Sequence, residues 1–120
     1  MKQNDFDFTI ALIYDFDGTL AAGNMQEYDF IPAVGKSNIE FWDESNRLAE
    51  EQDADQILTY MALMIHEAHA KGLSLRREAF RESGRNVKFY RGVEEWFGRI
   101  NRYGEEHGVR ILHYVNSSGL

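Results

Sequence analysis

The sequence predicts an α/β protein in which a mainly helical segment interrupts a core of parallel strands. Three observations carry this prediction. Two short apolar runs rich in β-formers, 8–14 and 109–115, lie near the two ends of the 120-residue chain. Between them, apolar residues recur at helical spacing. The second run follows a helical segment across a single residue, Gly108, and such a tight helix-to-strand joint belongs to α/β cores, where parallel strands are the default. Residues 1–20 and 89–120 are read as a partial core, and 21–88 as an inserted helical lobe.

The first run, Phe8-Thr9-Ile10-Ala11-Leu12-Ile13-Tyr14, is almost continuously apolar, as strands of parallel sheets are. Residues 21–45 read as irregular, punctuated by Gly23, Pro32 and Gly35. Asp53 followed by Gln56 suggests a capping box at a helix start. Ile57, Met61, Met64, Ile65 and Ala68 then form one apolar stripe, and Gly72 is a helix stop. Ser74 is read as the cap of a short helix ending near Ser83. Residues 92–107 read as another helix, with Val93, Trp96, Ile100 and Tyr103 on one face and Phe97 beside it. Val109–Val115 is the second strand, and Asn116-Ser117-Ser118-Gly119 follows it.

Composition narrows the function. A hydrophobic share of 43% with eight Phe, six Tyr and two Trp is ample core material and argues against disorder. The net charge of −7 disfavours nucleic-acid partners, because an acidic chain repels a phosphate backbone. With no Cys, disulfides, zinc–thiolate sites and thiol nucleophiles are excluded. No apolar run is long enough to span a bilayer, and the polar N-terminus does not read as a signal peptide, so the expectation is a cytoplasmic protein with no membrane partner.

The chemistry-bearing constellation is Asp15-Phe16-Asp17-Gly18-Thr19-Leu20, directly after the first strand. Ligands of α/β sheets bind at the carboxyl ends of strands. Two carboxylates two residues apart repel, and such pairs call for a cation, a proton or donors nearby. Gly18 permits a sharp turn, and Thr19 offers a hydroxyl. A surface turn is the plain alternative. An EF-hand loop fails on position: with Asp15 first, Thr19, Leu20 and Gln26 stand where a calcium ligand, Gly and Glu are required.

These six residues match the first motif of the haloacid dehalogenase-like (HAD) superfamily, D-x-D-G-T-[LV], at every position. Val115-Asn116-Ser117-Ser118-Gly119 resembles the second, an apolar strand ending in Ser or Thr. The resemblance implies an incomplete HAD-type Rossmann-like core with a helical cap between the two motifs. It implies a phosphohydrolase with Asp15 as nucleophile and Asp17 as acid/base. Gly18, Thr19, Ser117 and Ser118 become phosphate-binding residues. Asp15 and Asp17 become ligands of Mg2+, the second through its backbone carbonyl. Family members that cleave carbon–halogen or carbon–phosphorus bonds lack the second Asp, so Asp17 favours phosphate-ester hydrolysis, with a small phosphorylated metabolite as substrate. Phosphotransfer or phosphomutase chemistry is the alternative within the family.

The family also uses a Lys and one or two further acids after the second motif. Lys36, Lys71 and Lys88 precede it, so the chain reads as an N-terminal fragment whose incomplete sheet can self-associate or fold without catalysing. Other signals are weaker. Gly35-Lys36-Ser37 resembles the end of a P-loop, but that pattern needs Gly where Phe30 stands. His66 and His69 share a helix face and read as exposed rather than metal-bound. His113 reads as a core-edge residue, Met61 and Met64 as lobe core. Arg76, Arg77, Arg81 and Arg85 read as a solvated basic face paired with Glu78 and Glu82.

Overall fold

The computed structural model describes residues 6–119. The protein is mixed α/β: among the described residues it has a two-stranded parallel sheet, β1 (Phe8–Tyr14) and β2 (Val109–Val115), and five α-helices. The helices are α1 (Phe30–Ala33), α2 (Asn38–Glu51), α3 (Gln56–Lys71), α4 (Arg77–Ser83) and α5 (Val93–Glu106). The chain divides into two compact units, one of residues 6–23 with 88–119, the other of residues 24–87.

In the sheet-bearing unit the strands pair in parallel from Phe8↔Val109 to Tyr14↔Val115. Side chains alternate along a strand, so Tyr14, His113 and Ile111 share one face, and α5 lies on it. The Phe97 ring meets Tyr14 and His113 edge-on, at centroid distances of 5.7 and 5.1 Å. Gly104 is buried where α5 approaches β2: a Cβ there would stand 2.7 Å from the Val109 carbonyl oxygen. Gly108, at φ 68°, turns the chain out of α5, and its carbonyl accepts the Asp7 amide. Much of the strands' remaining apolar surface is exposed, Phe8, Ile13 and Val115 each by more than half.

The helical unit holds the larger core. Phe41 and Ile31 are fully buried, with Val34, Tyr60, Leu63, Met64 and Ala68 packed around them. Phe80 stacks on Phe30, seating α4. Met64 is core and Met61 packs against it, as the sequence suggests.

Five sequence expectations fail here. Residues 21–45 are not irregular: a 3-10 turn (Met25–Glu27), α1 and the start of α2 occupy them. The capping box is Ser37 with Glu40, not Asp53 with Gln56. The Ser37 hydroxyl accepts the Glu40 amide, and the Glu40 carboxylate accepts the Ser37 amide. Asp55 caps α3 through the Ile57 and Leu58 amides, while Asp53 sits at φ 49° in the preceding turn. The buried stripe of α3 is Tyr60, Leu63, Met64 and Ala68, so Ile57 and Ile65 of the expected stripe are exposed. Arg76 rather than Ser74 is the residue before α4, although the Ser74 hydroxyl accepts the Arg76 amide. On α5, Trp96 and Tyr103 are exposed, and the half-buried positions are Val93, Phe97, Ile100 and Asn101, with Gly104 buried.

Candidate functional site

Both strands run the same way and finish level, so Asp15 and Asn116-Ser117-Ser118 leave the sheet at one end. One backbone bond extends the pairing past the strands: the Asn116 N–H donates to the Tyr14 carbonyl at 2.8 Å. The residue before Asp15 therefore grips the residue before Ser117. This follows from strand polarity, since an antiparallel partner would send the two loops to opposite ends.

Asp15 is exposed, and its Oδ1 accepts the Phe16 amide at 2.8 Å, which orients the carboxylate. The chain then turns sharply. The Phe16 carbonyl accepts the amides of Thr19, Leu20 and Ala21. Gly18 adopts φ 75°, a left-handed conformation that a side chain disfavours, and donates to the carbonyls of Ala21 and Gly23. Asp17 is half-buried, and its backbone bridges Ala21. Ala21 bridges Phe89 in turn, the Tyr90 amide donates to the Leu20 carbonyl, and the Phe16 and Phe89 rings meet edge-on. The loop after β1 is thus tied to the segment entering α5. Thr19 and Gly18 are exposed on this turn. Ser117 is half-buried and its hydroxyl accepts the Gly119 amide at 3.0 Å, while Ser118 is exposed.

The oxygen donors at this end include the Asp15 carboxylate and the Asp17 backbone carbonyl. Magnesium is commonly held by one or two carboxylates, with waters and substrate phosphate completing its shell, so Asp15 and Asp17 fit such an ion. Among the described residues no group of three or more His, Asp or Glu side chains converges to hold a metal. His66 and His69 are exposed on α3.

The remaining sequence signals fall within the helical unit. Gly35-Lys36-Ser37 joins α1 to α2, and the Ser37 hydroxyl is engaged by its capping bond. Lys36 is not a solvated loop lysine: its Nζ pairs with Glu44 at 2.5 Å and Glu67 at 3.3 Å, tying the loop to α2 and α3. The Glu44 hydrogen bond foremost, with Glu67 adding to it, raises the Lys36 pKa above its ordinary value against the opposing effect of desolvation. On the basic face, Arg85 pairs with Glu82.

Sequence reasoning overlooked one cluster in the sheet-bearing unit. Trp96 Nε1 donates to Tyr14 Oη at 2.8 Å, Tyr14 Oη lies 2.9 Å from His113 Nδ1, and His113 Nε2 lies 2.7 Å from Asn101 Oδ1. A His on the inward face of a strand rich in β-formers was the available signal, but its partners lie 12 and 99 residues away in sequence.

No family model matches the chain, and no solved structure matches it. An uncharacterized protein of Borreliella burgdorferi is 34% identical over 132 aligned positions, covering 98% of this chain. The chain spans 45% of that relative's length. No helix among the described residues is long and apolar enough to cross a membrane.

Proposed function

We propose that the end of β1 is the site of a magnesium-dependent phosphomonoesterase of the HAD type, acting on a small phosphorylated metabolite. The helical unit would be its cap and the sheet-bearing unit part of its core. The observation that carries this is the Asn116-to-Tyr14 bond, which sets the serine loop beside the strand end that bears Asp15.

An Asp15 carboxylate oxygen attacks phosphorus as the bond to the leaving oxygen breaks, and Asp17 gives that oxygen its proton. Asp17 then takes a proton from water as the water oxygen attacks the aspartyl-phosphate, releasing phosphate and restoring Asp15. Splitting the displacement in two suits a carboxylate nucleophile, and a single acid/base serves both halves. The Ser117 and Thr19 hydroxyls, with Gly18 and Ser118, hold phosphoryl oxygens. Magnesium, held by Asp15 and the Asp17 carbonyl, supplies charge neutralisation between nucleophile and phosphate.

A second reading, a chain that folds or self-associates without catalysing, is favoured by the exposed apolar side chains of the strands. Hydrolysis of an aryl phosphate with magnesium, by this chain and its Asp15→Asn variant, separates the two. Turnover abolished in the variant supports the phosphatase, and turnover that survives there refutes it. No turnover in either supports the second reading, which light scattering then examines as self-association.

A further inference from the structure

The bonds around Tyr14 have a single polarity. An indole N–H only donates and an amide oxygen only accepts. Trp96 therefore donates to Tyr14 and His113 Nε2–H donates to Asn101, and in that Nε2–H tautomer Nδ1 is the acceptor for the Tyr14 hydroxyl. All three bonds are made together in the Nε2–H tautomer of His113. The Tyr14 and His113 rings are nearly parallel, 13° apart, and Phe97 buttresses both edge-on. The relay joins β1, α5 and β2 at the last residue of β1.

We infer that Tyr14 is a positioning residue for Asp15: its hydroxyl is fastened to α5 and β2 while its carbonyl holds Asn116, so the point from which both candidate loops leave the sheet is locked. This rests on the reading of Asp15 as nucleophile. Apolar side chains would serve packing alone at least as well, because the net gain from a hydrogen bond is small. What the polar relay adds is direction, and it adds it one residue before Asp15. The Phe16 amide bond then passes that orientation to the Asp15 carboxylate.

The test uses nitrogen-15 NMR of the full chain. In the wild type the His113 imidazole is the Nε2–H tautomer. Tyr14→Phe keeps the ring contacts and removes only the hydroxyl. It releases that tautomer preference and speeds exchange of the Asn116 and Phe16 amides by about tenfold, roughly the equivalent of one lost hydrogen bond, while mid-strand amides keep their rates. Asn101→Asp retains an acceptor and preserves the wild-type pattern, whereas Asn101→Leu does not. With an active enzyme, Tyr14→Phe lowers kcat by about tenfold at unchanged KM, short of the ~100-fold that a 1 Å misplacement costs. An Nδ1–H tautomer in the wild type, or wild-type exchange at Asn116 and Phe16 in Tyr14→Phe, overturns the inference. Turnover indifferent to Asp15→Asn would instead remove the phosphatase reading, and the exchange data would still decide the role of Tyr14.

Discussion

Gly104→Ala is the sharpest probe of how α5 seats on the sheet. Alanine normally stabilises a helix interior by about 1 kcal/mol relative to glycine. At residue 104, however, the new Cβ meets the Val109 carbonyl oxygen at 2.7 Å and Ile111 Cγ1 at 2.8 Å. Neither neighbour is the loose end of a side chain: one is strand backbone and the other lies at the root of a branched residue. Overpacking of this kind costs about 1–3 kcal/mol, and an unyielding neighbour puts the cost near the top of that range. The balance is a destabilisation of about 2 kcal/mol. Gly98 lies on the same helix, exposed, with nothing within 4 Å of an added Cβ, so Gly98→Ala should stabilise by up to about 1 kcal/mol. Amide exchange in β1 and β2 reads both changes in the unit concerned. The prediction is faster exchange in Gly104→Ala and unchanged or slower exchange in Gly98→Ala. Equal stabilisation by both would mean that α5 does not approach β2 as described.

Other predictions concern the helical unit and the nucleophile. Asp55→Ala removes the acceptor for two α3 amides and should cost about 1 kcal/mol in urea unfolding, whereas Asp53→Ala should not reproduce a cap loss. Glu40 carries a pKa lowered from its ordinary value, chiefly by the Ser37 backbone N–H. Because the folded form holds the carboxylate better than the unfolded chain does, its contribution is present above the unfolded carboxylate range and lost as pH falls through the lower folded value. Glu40→Gln should flatten the acid side of the stability profile, and an unchanged profile would contradict this. Asp15→Asn should abolish any magnesium-dependent aryl-phosphate hydrolysis.

Particular residues show what the sequence made legible. Both strands are readable to their end residues because continuous β-formers stop at Asp15 and Asn116. Gly72, at φ 67°, ends α3 as a left-handed cap should. The Ser37–Glu40 box has an ordinary capping spacing, yet the surrounding Gly35 and Pro32 suggested a loop and obscured α1 and α2. The buried face of α3 was misjudged because Tyr60 carries a hydroxyl and Ile65 looks like core. On α5, bulk favoured Trp96 and Tyr103, but close approach to β2 selects Gly104, and a polar bond selects Asn101. At the candidate site, the residue types around 15–20 and 115–119 were visible as motifs. Their meeting at one end depends on a parallel register between residues some hundred positions apart, which no local pattern encodes.

Whether the end of β1 holds a divalent cation beside a phosphate is read by NMR with Mn2+ as a paramagnetic stand-in for magnesium. Mn2+ should broaden the amides of residues 15–19 and 116–118, excess Mg2+ should reverse the broadening, and Asp15→Asn should abolish it. Broadening centred on His66 and His69, or broadening at β1 that persists unchanged in Asp15→Asn, would contradict that reading.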